Sequence, residues 1–266
     1  MNTYTIETPT LDTLADFFAL HPDPQDVAKR LPILRQNVAA GRVRLENLLI
    51  LRSERGIEGT ALISAAPQVP VFPRFRPDVM PEGVTALALA LRDRAEPERK
   101  LLLQDNLAPL RAAPVEGAGW VLDEEHVMYE TDLRARTFVP DPQARSVTPD
   151  DPAVRVLLGA LGRAGFELRE GWHLVVLPDT SGQPVALGAF GPSGRPEWAS
   201  LDQIGVHPSA RGQGLGTRLH AHLLARAAEQ FTMHAGGTGA DNHAMRRILA
   251  SNGSRHVATQ MYFRPA

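Results

Sequence analysis

Apolar positions in the second half of the chain follow several distinct periods. Val154, Leu157, Leu158 and Leu161 recur at helical spacing, which predicts a helix from Pro149 to Gly162. In WHLVVLPDTSGQPVALGAFG (172–191) two apolar runs flank Asp179-Thr180-Ser181-Gly182, the pattern of a hairpin. EWASLDQIGV (197–206) reads as a third strand, ended by Pro208. Leu215, Leu219, Leu223, Ala227 and Phe231 then recur at helical spacing, directly behind a turn with three glycines in five positions. FTMHA predicts a short strand, Asp241 an N-cap for a helix running to Asn252 with Gly253 just past its end, and HVATQMYF a closing strand. Helix, antiparallel strands and a strand–turn–helix–strand crossover together predict an α+β fold: a mixed, mostly antiparallel sheet flanked by helices.

One stretch interrupts the pattern. TFVPDPQARSVTPDD (137–151) carries Pro140, Pro142 and Pro149, which break helices and ladders alike. A linker is expected near 137–144, with domains at 1–140 and 141–266. The first of these holds 16 Lys/Arg and 20 Asp/Glu, a net charge of −4; the second holds 12 and 10, net +2.

Bulk composition removes several classes of function. The 266 residues are 43% hydrophobic and 22% charged, ordinary for a globular protein. With no cysteine there is no disulfide framework, zinc–thiolate site or thiol nucleophile. A net charge of −2 lacks the basic excess of a nucleic-acid binder. The opening residues do not resemble a secretory signal, and no apolar run approaches the length of a membrane span. The expectation is a cytoplasmic protein with no nucleic-acid or membrane partner.

Chemistry concentrates in IGVHPSARGQGLGTRLHAHLL (204–224). A P-loop needs a Lys, and the second half contains none. A dinucleotide fingerprint needs its third Gly one position later than Gly216. What remains is R-x-x-G-x-G at Arg211, Gly214 and Gly216, between an apolar strand and an amphipathic helix. A backbone without Cβ atoms can curl its N–H groups into one cavity, the helix adds the positive end of its dipole, and Arg211 adds a donor fork. Such a cavity suits a pyrophosphate; the alternative is a flexible glycine turn.

This stretch resembles the acetyl-CoA motif, Q/R-x-x-G-x-G/A, of the GCN5-related N-acetyltransferases. NHAMRRILASNGS matches the family's downstream block at Asn242, Met245, Ile248 and Gly253, but has Leu249 where Tyr is usual and Ser254 where Phe is usual. RSVTPDDPAVRVLL is similar to the family's usual opening, so the resemblance spans about 143–266. It implies acetyl transfer from acetyl-CoA to an amine. It implies cofactor contacts at Ile204, Gly205 and Val206 on the strand, at Arg211, Gly212, Gln213, Gly214, Leu215, Gly216 and Thr217 on the turn, and at Asn242. The thioester carbonyl would be polarised by backbone N–H groups at Gly205 and Val206.

The first half reads as a worn copy. ETPTLDTLADFFAL parallels VTPDDPAVRVLLGAL, TALISAAP parallels ALGAFGP, and HVMYETD parallels TQMYFRP, in the same order. A gapless alignment sets Pro77 on Pro208, Met80 on Arg211, Pro81 on Gly212, Gly83 on Gly214 and Thr85 on Gly216. Pro81 removes an N–H and Thr85 adds a branched side chain, so the phosphate cradle is lost there. Pro70 and Pro73 fall where the pantetheine-pairing strand should lie. Two tandem domains of this family's type are expected, with one acetyl-CoA site, in the second, and a monomer with an internal pseudo-dimer.

Without cysteine no acyl-cysteine intermediate can form, so transfer is direct within a ternary complex. The amine needs a general base. The strand carboxylates are Glu197 and Asp202, of which Asp202 lies closer to the acyl position; each could equally be a solvated carboxylate. His220 and His222, two apart on a helix, face different ways and do not form a metal pair, and no metal is expected. Arg246 and Arg247 could meet the cofactor phosphates or line a solvated face. The acceptor is expected to be a small-molecule amine. The competing function is a non-catalytic acyl-CoA sensor, prompted by the missing Tyr and the uncertain base.

Overall fold

The structure, a computed structural model, describes residues 3–266. The chain runs through β1 (Thr5–Glu7), α1 (Pro24–Ala39), β2 (Leu48–Ser53), β3 (Gly56–Leu62), β4 (Arg74–Phe75), α2 (Pro81–Arg94), β5 (Leu101–Gln104), α3 (Ala112–Glu116) and β6 (Trp120–Asp132). It continues through β7 (Arg145–Val147), α4 (Pro152–Ala160), β8 (His173–Pro178), β9 (Pro184–Pro192), β10 (Trp198–Val206), α5 (Leu215–Ala227), β11 (Met233–Gly239), α6 (His243–Ser251) and β12 (Arg255–Pro265). The order β-α-β-β-β-α-β-α-β therefore occurs twice. The fold is mixed α+β, with mainly antiparallel sheets flanked by helices.

Two compact units result: residues up to His126 together with Ala258–Ala266, and Val127–Val257. The division falls inside β6 and inside β12 rather than at 140/141. In the first unit β1, β2, β3 and β4 form an antiparallel sheet. β5 pairs with the end of β12, from Gln260↔Gln104 to Phe263↔Leu101. Phe263 is fully buried among Leu87, Leu91, Leu101 and Leu103. The guanidinium of Arg99, 1% exposed, donates to the carbonyls of Ser64, Ala66 and Val69, which ties down the proline-rich loop after β3.

In the second unit β7, β8, β9 and β10 are antiparallel neighbours, and β11 joins β10 in parallel. α5 packs Leu215, Leu219, Leu223, Leu224 and Ala227 against Leu177, Ala186 and Phe190. α4 lays Val154, Leu157 and Leu158 on Leu174, Val176, Leu187 and Ala189.

Four local expectations are corrected. α4 starts at Pro152, not Pro149, because the Asp151 carboxylate caps the amides of Ala153 and Val154. α5 ends at Ala227, so Phe231 lies beyond it. α6 is capped by Asn242, whose Oδ1 accepts from the Met245 amide, and not by Asp241. The segment at 137–144 is held rather than loose. Asp141 accepts from Arg218 at 2.8 Å, its amide donates to His222 at 3.0 Å, and Phe138 and Ala144 pack on the α5 core.

Because Phe263 supplies a buried aromatic from the far end of the chain, Phe263→Ala is expected to cost the first unit about 3–5 kcal/mol. Urea denaturation should show an early transition in the variant. An unshifted midpoint would refute the placement of residues 258–266 in that core.

Candidate functional site

β10 and β11 pair only from Trp198↔Met233 to Ser200↔Ala235. Beyond that point they diverge, while β10 keeps its pairing with β9 through Gly205↔Leu187 and Val206↔Ala186. The divergence opens a cleft of about 890 Å³. One wall is the exposed edge of β10, Leu201 to Val206; the others are the glycine turn, the start of α5, Gly237 and Thr238 of β11, and one face of α6.

The edge of β10 is irregular. Its register with β9 shifts between Asp202 and Gly205, and Gln203 takes φ +57°, a left-handed conformation unusual outside glycine. Two neighbours hold this kink. The Asp202 carboxylate accepts from the Gln203 amide at 2.7 Å, and Arg163 Nη1 donates to the Gln203 carbonyl at 2.6 Å. Burial lowers the pKa of the Arg163 guanidinium from its ordinary value, while the charge of Asp202 acts to raise it. Gly205 fits beside this contact because it lacks a Cβ, which would lie 2.8 Å from Leu161 and 3.0 Å from Arg163 Nη1.

The turn is shaped by its glycines. Gly212 and Gly214 adopt φ +78° and +76°, and Gly214 is the N-cap of α5 with no side chain capping the helix. The first amides of α5 have no acceptor within the helix, and they carry the positive end of its dipole. Gly216 packs close: a Cβ there would sit 2.8 Å from Ile248 Cδ1. Arg211 Nε donates to the Val206 carbonyl, which holds the turn against the strand end.

The predicted cofactor residues Ile204, Gly205, Val206, Arg211, Gly212, Gly214, Leu215, Gly216, Thr217 and Asn242 all line this one cleft, and so does Asp202. Gln213 does not line it. Glu197 lies outside it, at the opposite end of β10, where its carbonyl accepts the amides of Thr232 and Met233. Leu249 is buried with Val127 and Tyr129 and does not line the cleft. Of the two arginines on α6, Arg247 lines the cleft, while Arg246 donates to the Ala240 carbonyl. Sequence reasoning missed Arg163 and the kink at Gln203. Gly162, at φ +72° just after α4, signals a helix end, but nothing local shows that the next side chain reaches a strand forty residues on.

In the first unit the order of elements sets the start of α2 against the start of α5. This places the N-cap Met80 on Gly214, three residues earlier than the gapless alignment, because Pro81 is suited to the first helical position. Met80 is extended, at φ −75° and ψ 154°. Glu82 puts a carboxylate in the first turn, and Asp78 just before it is engaged by Arg55 and Arg76. Among the described residues, this helix start has no positive-φ glycine and carries a carboxylate in its first turn.

Residues 145–253 match the model of the acetyltransferase (GNAT) family. No curated protein matches the chain. Among solved structures, the chain is similar to a GCN5-related N-acetyltransferase from Sphaerobacter thermophilus, at 12% identity over 98% of this chain and 95% of that one, with a TM-score of 0.55. It is also similar to a GNAT-family acetyltransferase from Colwellia psychrerythraea, at 15% identity over 98% and 100%, with a TM-score of 0.52. Both are likenesses of fold across nearly the whole chain.

Behind the cradle lies a buried polar network. Asn252 Nδ2 donates to the Thr217 carbonyl and to His220 Nδ1, each at 3.0 Å. His234 Nδ1 meets Thr131 Oγ1 at 3.0 Å, and Thr131 meets Ser254 at 2.8 Å. Burial, followed by the charge of Arg136, holds the pKa of His220 at about 4; burial, followed by His220, holds that of His234 at about 3. Both values lie below the ordinary 6.5, so the folded state prefers the neutral rings. Their stabilisation is complete above pH 6.5 and is lost as pH falls toward 4 and then 3, on the order of 3 kcal/mol for His220 and about 5 kcal/mol for His234. Melting temperature should therefore fall through this window, and His220→Phe should flatten the fall by about one proton. An unchanged pH slope in the variant would refute the assignment.

Proposed function

We propose that the second unit, whose residues 145–253 match the acetyltransferase (GNAT) family model, transfers an acetyl group from acetyl-CoA to the amine of a small molecule, directly within a ternary complex. The observation that carries this reading is the uncapped start of α5, behind two positive-φ glycines, facing the same cleft as the exposed edge of β10. The family transfers acyl groups and generally draws them from acetyl-CoA or another acyl-CoA. Residues 212–217 offer backbone amides to a pyrophosphate, with Arg211 at the rim and Arg247 on the facing helix. The backbone of Ile204 to Val206 is available to pair with the amides of a pantetheine arm. Asp202 is the carboxylate in the cleft and takes the amine proton, directly or through water. The nitrogen lone pair forms the new N–C bond to the carbonyl carbon, the C–S bond breaks, and the sulfur leaves as a thiolate that takes a proton from solvent. The reading includes a cytoplasmic enzyme that works as a monomer; no helix of the described residues is long and apolar enough to cross a membrane.

Calorimetric titration of acetyl-CoA should give one site per chain. Gly216→Leu, which pushes a side chain against Ile248, and Gln213→Glu, which adds a negative charge beside the turn, should each weaken binding at least roughly tenfold. No binding by the wild type at millimolar ligand would refute the reading. Leu249 favours a second reading, a binding module without turnover. Mass spectrometry of an amine library separates the two: Asp202→Asn should cut turnover by about a hundredfold or more, whereas binding with no acetylated product from any amine selects the module.

A further inference from the structure

The cleft contains a cation that the transfer chemistry does not use. Arg163 follows α4 and reaches the cleft beside Asp202, half-buried. Among the described residues it has no carboxylate within ion-pair distance. One of its five N–H groups is engaged, by the Gln203 carbonyl, and the structure gives no protein acceptor for the rest among the described residues. Its position is built rather than incidental: Gly205 leaves room for the guanidinium and Leu161 lies alongside it. Burial makes the charge more costly, so the fold retains a cation at some expense where an apolar side chain could have filled the space. Arg169 meets Asp202 only at 3.8 Å, and both of these groups are largely exposed. Such a pair is weak and easily displaced by an amine arriving at Asp202.

Resting on the transferase reading above, we propose that the acceptor is a small amine carrying its own carboxylate, an amino-acid-like molecule whose carboxylate is bound by Arg163 while its amine faces Asp202. A planar guanidinium with unused donors matches a carboxylate in two-point geometry, and a partly desolvated site strengthens that bond. Arg163 and Asp202 each bond the backbone of Gln203 at the kink of β10 and both line the cleft, so one ligand there meets a cation and an anion. A zwitterionic acceptor has the complementary pair of groups. The step is the transfer already described. The carboxylate takes no part in bond making, and Arg163 acts by fixing the amine in place.

The test compares matched acceptors: amino acids, their carboxamides, and the corresponding amines lacking the carboxyl group. Release of the CoA thiol can be followed with a thiol reagent, free of background because the chain has no cysteine. The full-length protein should favour the carboxylates over the carboxamides by roughly ten- to a hundredfold in kcat/KM. In Arg163→Leu that ratio should fall close to one, mainly through KM, and Arg163→Lys should restore part of it. If Arg163 serves only to hold the kink, its loss lowers turnover of all acceptors equally and leaves the ratio intact, which would overturn the proposal. Turnover of carboxamides or plain amines at least as fast as carboxylates in the wild type would also overturn it, while leaving the transferase intact. Absence of turnover with every amine would remove the transferase reading and this proposal with it.

Discussion

The parting of β10 from β11 after Ser200 and Ala235 is the constraint on which the cleft of the second unit depends. A parallel pair that stayed in register would satisfy its own backbone groups and leave nothing to offer a ligand. Beyond Ser200, β10 keeps its pairing with β9 across a register shift at Gln203, where the backbone takes φ +57°. That conformation persists because groups on both sides hold it: the Asp202 carboxylate takes the amide and Arg163 takes the carbonyl. The exposed strand edge and the carboxylate therefore come from one local device. Shortly beyond the strand, the glycine turn aims a helix start into the same space.

The buried network stiffens the other wall. Thr217 lies in the first turn of α5, and its carbonyl is held by Asn252 from the end of α6. Since Asn252 also engages His220, the two helices that face the cleft share one hydrogen-bonded link. Neutral imidazoles suit this role, because a charged ring in the same place would be desolvated without a partner. Among the described residues the Nε2 atoms of His220 and His234 have no partner, and a proton added to His220 at Nδ1 would displace the bond from Asn252.

Elements with a strong local period were legible from sequence: the α5 stripe from Leu215 to Ala227, the β8–β9 hairpin, and the glycine turn with its neighbours. Their physics is contained within a dozen residues. What escaped was set by contacts distant in sequence. Arg163 and Gln203 are forty residues apart. Residues 256–263 read as a closing strand for the second half, yet from Ala258 onward the strand belongs to the first unit, because strand periodicity shows that a strand forms and not which strand it joins. The prolines at 140 and 142 suggested a linker. The carboxylate at Asp141 and the ring of Phe138, which anchor that segment to α5, were equally visible but carried no partner in the sequence. The three-residue slip in the first-half alignment has the same origin: Gly83 looked like the counterpart of Gly214, whereas Pro81 decides where the helix begins.

On the transferase reading, the two proton transfers are unequal in difficulty, and this bears on Leu249. A thiolate leaving group belongs to an acid with pKa near 8.5, so at neutral pH it is only modestly less stable than the thiol and solvent can protonate it after departure. An alkylamine near pKa 10.4 is different: on the order of one molecule in a thousand carries the lone pair at neutral pH. Removing that proton is the demanding task, and the cleft supplies a carboxylate for it at Asp202. A hydrophobic residue where the family usually has Tyr withdraws help from the easier transfer. The open cleft admits water to the sulfur side, and Leu249 instead fills the core between α6 and β6 with Val127 and Tyr129. The substitution therefore exchanges a dispensable proton donor for packing, and leaves the harder step where the kink of β10 has placed its base.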